Sequence, residues 1–402
     1  MKRKFTQILS LAIGVLISVS TLNAQTSTET KPEGYKFTVV KEVKATSVKD
    51  QYRAGTCWSY SGLSFLESEV LRMDKGETDL SEMYIVRRAY EEKGMKYFRM
   101  HGKINFGQGG AFHDVTNMIR SYGIVPEEIY RGLNYGEKNH VHGEVDAALK
   151  AFLDAIIKDE NKTISTAWYT AYKAILDAYF GPVPEKFTYK GKDYTPQSYA
   201  KEIGLNSDDY VCVTSFMHHP FYKPFALEIE DNWMWEQSYN VPMEDLIAII
   251  DNSIQNGYSI AWGSDVSEKG FSFKNGVAIV PAKDISALNN LEMARWDKLS
   301  QKEKDKELYT FDKPGKEKVI TQEDRQKEFD NYKTTDDHGM HITGIAKDQN
   351  GNKFYIVKNS WAESNDYKGY FYASEAFVKA KTTDIMINKK AIPEVLKKKL
   401  GL

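Results

Sequence analysis

Residues 51–65 place a single cysteine, Cys57, at the start of a predicted helix. Apolar side chains recur at helical spacing from Trp58 onward, so this helix is expected to bury one face, and Thr56 is expected to cap it. Unpaired backbone N–H groups and the helix dipole favour an anion at this end, which predicts a lowered thiol pKa. Cys57 is therefore the candidate nucleophile.

A cysteine nucleophile needs a base, a group that orients the base and a donor for the oxyanion. Gln51 lies six residues before Cys57, across a turn at Gly55, so its amide and the Cys57 backbone N–H are the candidate oxyanion donors. The candidate base, His338, and the candidate orienting residue, Asn359, lie near the C-terminus. Together these side chains predict acyl transfer to a thiol.

A β-hairpin is expected to bring the distant pair together. Asn350-Gly351, between two predicted strands, is a strong signal for a tight turn with positive φ angles, and folding there puts His338 beside Asn359. His341 competes for the role of base. It lies three residues further along the same strand, so its side chain should point to the opposite face, which favours His338.

The order of these residues resembles that of papain-like cysteine peptidases. Gln51, Cys57-Trp58, His338 and Asn359-Ser-Trp361 match that family's oxyanion glutamine, nucleophile, base and orienting asparagine. Other segments are similar to the bleomycin hydrolase and aminopeptidase C branch, and the resemblance covers most of residues 49–402. These segments are Gly107-Gln-Gly109-Gly110 and residues 122–126, 219–225, 260–266 and 388–393.

The resemblance implies an α+β, papain-like two-lobe fold. It places a helical lobe at about 49–130, a helical insertion at about 131–330 and a sheet lobe at about 331–402, after an N-terminal extension at 25–48. The sheet lobe would then carry the candidate base and its orienting asparagine.

The same resemblance implies substrate-binding residues and a mechanism. Gly109 and Gly110 are expected at the wall of the cleft, with Trp58 beside the nucleophile, and Trp361 is expected to shield the bond between the base and its asparagine from water. Peptides are the implied substrates. The acyl group passes to the thiol and is released by water, so no cofactor is expected.

The cleavage mode also follows from the resemblance. In this branch the C-terminal arm runs into the cleft, where its terminal carboxylate favours aminopeptidase activity; here residues 388–402 form a shorter arm. An aminopeptidase is favoured. The alternatives are an endopeptidase with an open cleft and a non-catalytic exported protein that binds peptides or glycans. Homo-oligomers are possible by the same resemblance.

The N-terminus is typical of a secretory signal peptide. A basic start, Lys2-Arg-Lys4, precedes an apolar run at residues 8–19, and Ala24 offers a small residue for cleavage. The run is too short to span a bilayer, so residues 1–24 predict export to the periplasm or the medium without a membrane anchor.

Composition is that of a globular enzyme, with 41% hydrophobic and 27% charged residues and a net charge of −2 over 402 residues. Nothing in it indicates nucleic-acid binding. The chain has two cysteines, Cys57 and Cys212, and a disulfide between them would consume the nucleophile. Cys212 lies in a predicted half-buried strand at 209–216, so a packed, inert thiol is expected there.

No metal site is expected. Neither the pair His140/His142 nor the pair His218-His219 is expected to have the carboxylate or cysteine partners that a zinc site needs, and His219-Pro220 is a turn signal.

The remaining elements are predicted from periodicity and caps. A helix capped by Ser81 is expected at 80–90, and strands are expected at 35–40 and 258–261. A hairpin or loop is expected at 184–200. Further helices are predicted at 115–122, 145–157, 166–179, 243–256, 289–308 and 322–332.

Overall fold

The computed structural model describes residues 34–158, 163–283 and 288–402. The predicted signal peptide, residues 1–24, lies outside the described residues and stays a prediction. Within the described part of the chain, no helix is long and apolar enough to cross a membrane.

The α-helices of the described residues are distributed along the whole chain. They are α1 (Cys57–Arg72), α2 (Glu82–Arg99), α3 (Phe112–Tyr122), α4 (Gly143–Ile157), α5 (Ala167–Phe180), α6 (Pro196–Glu202), α7 (Met243–Gln255), α8 (Asn290–Lys298), α9 (Gln301–Leu308), α10 (Gln322–Asp330), α11 (Glu375–Lys381) and α12 (Glu394–Leu400).

The strands form one large mixed sheet and a separate hairpin. They are β1 (Thr38–Glu42), β2 (Phe187–Tyr189), β3 (Lys192–Tyr194), β4 (Tyr210–Thr214), β5 (Pro224–Ala226), β6 (Gln237–Asn240), β7 (Ile260–Ser264), β8 (Phe271–Ser272), β9 (Val277–Ala278), β10 (His338–Lys347), β11 (Lys353–Lys358), β12 (Tyr370–Ser374) and β13 (Thr382–Asn388). The order in the large sheet is β5-β6-β4-β13-β7-β10-β11-β12-β9-β8, with β1 paired to β10, and β2-β3 is the hairpin.

Helix α1 lies at the centre of the molecule. The sequence predicts one buried face, but every residue from Trp58 to Val70 is buried. Several polar side chains of the helix have buried partners: Ser59 donates to the Glu82 carbonyl (3.0 Å), and Glu67 accepts from the Leu80 backbone N–H (2.9 Å). Because these polar side chains are hydrogen-bonded, their face of the helix can also be buried.

Strand β10 approaches α1 closely because residue 339 is glycine. A Cβ atom at Gly339 would lie 2.7 Å from Ser61 Oγ and 3.3 Å from the Trp58 Cα atom. These contacts leave no room for a side chain. The first residues of β10 and the first turn of α1 therefore lie against each other.

Two large hydrophobic clusters surround this contact. One joins α1 to α2–α5 through residues such as Leu63, Phe65 and Tyr172. The other packs α7, α11 and α12 on the large sheet through residues such as Trp262 and Phe377. The structure is thus α+β, as predicted.

Most predicted elements are confirmed within one to four residues, and Ser81 caps α2 by accepting from the Tyr84 N–H. The predicted helix at 289–308 is instead two helices, because the first ends at Lys298 and Ser300 caps the second by accepting from the Glu303 N–H. Both cysteines are free thiols, and Cys212 is buried in β4 as expected.

Candidate active site

Cys57 is the first residue of α1. The predicted cap is wrong: the Thr56 hydroxyl makes no cap hydrogen bond and has no partner among the described residues. The thiol is approached by two backbone N–H groups, those of Gly339 and Trp58, and both lower its pKa. The helix terminus and the close approach of β10 therefore both act on this sulfur.

Burial nevertheless raises the pKa of the Cys57 thiol, to about 12, with Asp231 and Asp336 adding to the rise. The predicted lowered pKa is wrong for the substrate-free protein, because removal of the thiolate from water outweighs the backbone donors. Burial alone therefore opposes ionisation of the nucleophile. It needs a base.

His338 begins β10 and lines the same cavity as Cys57. Its Nε2 lies 2.7 Å from Asn359 Oδ1, an oxygen that also accepts from the Ser360 backbone N–H (2.8 Å). Since this oxygen is the acceptor, the network assigns the proton to Nε2 and leaves the Nδ1 lone pair free. Burial lowers the pKa of His338 to about 4.

Burial therefore disfavours the charged forms of Cys57 and His338 when each is considered alone. Transfer of the thiol proton to the imidazole creates opposite charges inside one cavity, and their attraction in a medium of low dielectric offsets part of the desolvation cost of each. The two opposite charges together therefore cost less than either charge alone.

Trp361 covers the bond between the base and its asparagine. Its ring stacks on the His338 imidazole with centroids 4.6 Å apart and planes 26° from parallel. Phe271 and Phe273 pack edge-on against the indole. The predicted shielding role matches this position.

The hairpin that joins His338 to Asn359 forms where the sequence predicts it, between β10 and β11. Its turn differs from the expected one. Gly351 has a positive φ of 84°, whereas Asn350 does not. The Asp348 carboxylate instead accepts from the backbone N–H groups of Asn350 and Asn352, at 2.9 and 2.8 Å.

Gln51 is held beside this hairpin. Its Oε1 accepts from Ser360 Oγ (2.6 Å), and its Nε2 donates to the Ala54 carbonyl (2.7 Å). These bonds fix which end of the amide is nitrogen and leave one Nε2 hydrogen uncommitted. Gln51 does not itself line the cavity around Cys57. Its role as an oxyanion donor stays a prediction.

His341 lies in a different cavity from His338, as the alternation of strand side chains predicts. Its Nδ1 is 2.9 Å from Ser64 Oγ, which also accepts from Lys358 Nζ (2.8 Å). Burial holds the pKa of His341 well below its usual value. It does not share the cavity of the Cys57 thiol.

Of the two glycines predicted at the cleft wall, Gly110 lines the cavity and Gly109 does not. Gly110 and Trp58 line the cavity around Cys57, and a Cβ atom at Gly110 would lie 2.8 Å from the Trp58 ring. Gly109 lies against the carboxylate of Asp231, which does line the cavity.

Four aspartates in the lining are functional candidates that the sequence does not single out. Asp336 and Asp337 directly precede His338, so their position is visible in the sequence. Asp231 and Asp384 arrive from distant segments, and no local pattern marks them. The aspartates of the lining are Asp231, Asp336, Asp337 and Asp384.

The histidine pairs behave differently from each other. His218 and His219 both bind Glu228, at 3.0 and 2.8 Å, and the three ligand atoms lie within 4.8 Å of one another. The expectation that no carboxylate accompanies them is wrong, because the loop folds back. His140 and His142 instead face each other in the interior, where burial lowers their pKa values to about 4 and about 3.

A helix-borne cysteine and a strand-borne histidine in one cavity, with the histidine bound to an asparagine, are the arrangement of a papain-like cysteine peptidase. The chain belongs to the Peptidase C1-like family, whose model matches residues 6–303 and 292–401.

Individual relatives agree with this membership. The chain is similar to Aminopeptidase C of Lactobacillus delbrueckii subsp. lactis, with 24% identity over 89% of this chain and 82% of that protein. It is also similar to Aminopeptidase C of Streptococcus thermophilus, with 21% identity over 94% of this chain and 86% of that protein. The protein is thus a cysteine peptidase of the bleomycin hydrolase and aminopeptidase C branch.

A solved structure has the same fold. The crystal structure of PepW from Lactobacillus rhamnosis HN001 matches with a TM-score of 0.66 and 19% identity, covering 90% of this chain and 84% of that one. The predicted papain-like fold is confirmed.

Proposed function

We propose that the protein is an aminopeptidase in which Cys57 attacks the first peptide bond and His338 moves the protons. The observation that carries the proposal is the 2.7 Å hydrogen bond from His338 Nε2 to Asn359 Oδ1, at the edge of the cavity that contains Cys57. With Nε2 occupied, Nδ1 is the atom that can take a proton. Asn359 orients the base.

The reaction has two halves. Nδ1 of His338 takes the thiol proton as Cys57 Sγ bonds to the carbonyl carbon, and the Cys57 N–H and the Gln51 amide stabilise the oxyanion. Collapse breaks the C–N bond, and the imidazolium protonates the leaving amine. Water then attacks the thioester with His338 again as base, which releases the amino acid and restores the thiol. These steps need no cofactor.

The aminopeptidase mode is favoured over the endopeptidase mode because curated relatives that span most of this chain are named aminopeptidases. An endopeptidase must accept a chain on both sides of the scissile bond. An aminopeptidase must instead recognise a free α-amino group next to it, and a site that binds such a group rejects substrates that lack it.

The test compares an aminoacyl fluorogenic amide with its N-acetylated form. We expect a preference of about 10²-fold or more in kcat/KM for the free amine, because acetylation removes the positive charge that the site binds. Equal cleavage of both substrates would contradict the aminopeptidase mode and leave an endopeptidase. If neither is cleaved and Cys57 reacts no faster than a free thiol, the protein is a non-catalytic binder.

A further inference from the structure

The cavity around Cys57 is strongly acidic. Its described lining contains four aspartates and no lysine or arginine. Asp231 and Asp336 lie close enough to raise the pKa of the Cys57 thiol. Negative charge here opposes formation of the thiolate, so these carboxyl groups carry a cost for the reaction. A positively charged substrate group would offset that cost.

Asp384 is the most exceptional of the four. Its residue is only 5% exposed, and within the described residues its side chain has no hydrogen bond or ion pair. Burial alone raises its pKa to about 7. A buried carboxyl group without a partner is costly to maintain. Its carboxylate lines the cavity that contains Cys57 and His338.

A β-bulge in the large sheet directs the Asp384 side chain to this position. The pairing of β13 with β7 shifts between Thr382 and Ile385, and such bulges re-aim side chains. The Asp384 carboxylate then lies against Gly263, where a Cβ atom would be 2.7 Å from its Oδ1. The glycine makes room for the carboxylate.

The other three aspartates of the lining differ in the hydrogen bonds and charges that stabilise their carboxylates. Asp337 accepts from the Thr335 hydroxyl (2.8 Å) and the Ser267 N–H (3.0 Å). Asp231 lies in the field of the buried Lys93. Among the described residues, Asp336 accepts one hydrogen bond, from the Thr383 hydroxyl (3.2 Å), and burial together with Asp231 and Asp384 raises its pKa.

The position of the aspartates beside Cys57 matches that of one substrate group, the α-ammonium group. In an N-terminal residue the α-ammonium nitrogen lies two covalent bonds from the carbonyl carbon that the thiol attacks. A carboxylate that binds it must therefore line the nucleophile's own cavity, as Asp384 and Asp336 do. A basic side chain on the residue that precedes the scissile-bond residue would lie at a greater distance from the Cys57 sulfur.

The C-terminal residues are elsewhere. Leu396 and Leu400 of α12 are buried in the core cluster on the sheet, and Leu402 packs against the same cluster. No described residue after Asp384 lines the cavity. Residue 402 therefore does not bring a carboxylate into the cleft, as the C-terminal arm does in the family that the chain resembles.

We infer that Asp384, together with Asp336, binds the α-ammonium group of the substrate's N-terminal residue. This inference rests on the proposed aminopeptidase activity and assigns its specificity to side-chain carboxylates. An ammonium group offers three donors and a full positive charge, so it satisfies both carboxylates at once. The α-amine then fixes the scissile carbonyl beside Cys57.

The experiment measures kcat/KM for the free-amine and N-acetylated substrates in Asp384→Asn and Asp336→Asn. We expect the ratio of free to acetylated activity to fall about 10-fold or more in each variant, because the charged partner of the amine is lost. The fall should come from the free-amine substrate and appear mainly in KM. Glu230→Gln removes an exposed charge beside the cleft and should leave the ratio unchanged.

Two controls separate the possible failures. Thermal melting shows whether each variant is folded, and titration with an epoxide-type thiol reagent counts its competent Cys57 sites, so a variant that does not fold is recognised and the other variant decides. If the wild-type protein prefers the free amine and every competent variant keeps that preference, this inference is wrong while the aminopeptidase proposal stands. If the wild-type protein has no preference, the proposed function itself fails.

A third substrate tests the competing use of the acidic cavity. It carries a blocked N-terminus and an arginine one residue before the residue at the scissile bond. Suppose that Asp384→Asn abolishes cleavage of this substrate and leaves the free-amine preference unchanged. The carboxylates would then bind a basic side chain, and the inference would be overturned. Unchanged cleavage of it in Asp384→Asn supports the assignment to the α-amine.

Discussion

Replacement of Cys57 by alanine is expected to lower kcat/KM for peptide hydrolysis by about 10⁴-fold or more, since no other group in the cavity can form the acyl intermediate. The Cys57 side chain is half-buried, and the loss of one sulfur atom should leave α1 intact. The measurement is hydrolysis of a fluorogenic aminoacyl amide, with thermal melting to show that the variant is folded.

Cys212→Ala is the matched control for this prediction. It removes the other thiol, which is 4% exposed in β4. It should lower stability through lost packing and leave kcat/KM within about threefold of the wild-type value. A Cys57→Ala variant that keeps substantial activity, or a folded Cys212→Ala variant that loses it, would contradict the assignment of the nucleophile.

His338→Ala is expected to lower kcat by about 10²- to 10⁴-fold, the usual contribution of a positioned acid–base group. The protein then lacks both the base for the thiol and the acid for the leaving amine. Asn359→Ala should retain more activity than His338→Ala, because Asn359 only orients the imidazole. Both effects should appear in kcat rather than in KM.

His341→Ala provides the comparison for His338→Ala. It removes an equally buried imidazole from the same strand, but one that faces Ser64 and Lys358 instead of the Cys57 cavity. We expect it to destabilise the fold and to leave kcat of the folded protein nearly unchanged. If the folded His341→Ala variant is as inactive as His338→Ala, the assignment of the base is wrong.

The pairing of His338 with Asn359 is predictable from the sequence because it depends on a local device. Two strand-like segments separated by a turn signal are expected to form an antiparallel hairpin. Its register then places the start of the first strand beside the end of the second. The opposite orientation of His341 follows from the same alternation.

The properties that depend on burial are not predictable in this way. The helix terminus and the Gly339 N–H favour a thiolate at Cys57, yet burial outweighs both and raises the pKa of the Cys57 thiol. Likewise, full burial of α1 depends on layers from both halves of the chain. Local patterns do not contain these distant contacts.

Carboxyl groups from distant segments escape sequence reasoning for the same reason. Asp384 reaches the cavity through a bulge in β13, and Glu228 reaches two histidines through a loop that folds back. By contrast, the break before Ser300 was visible, since Ser300 and Glu303 have the spacing of a capping box.

The central claim is that Cys57 is a nucleophile activated by His338, and labelling with an epoxide-type thiol reagent tests it most directly. We predict modification at Cys57 alone at neutral pH, faster than that of a free thiol such as glutathione and much slower in His338→Ala, with peptide mapping to identify the site. Modification at the rate of a free thiol, or a rate that His338→Ala leaves unchanged, would contradict the account.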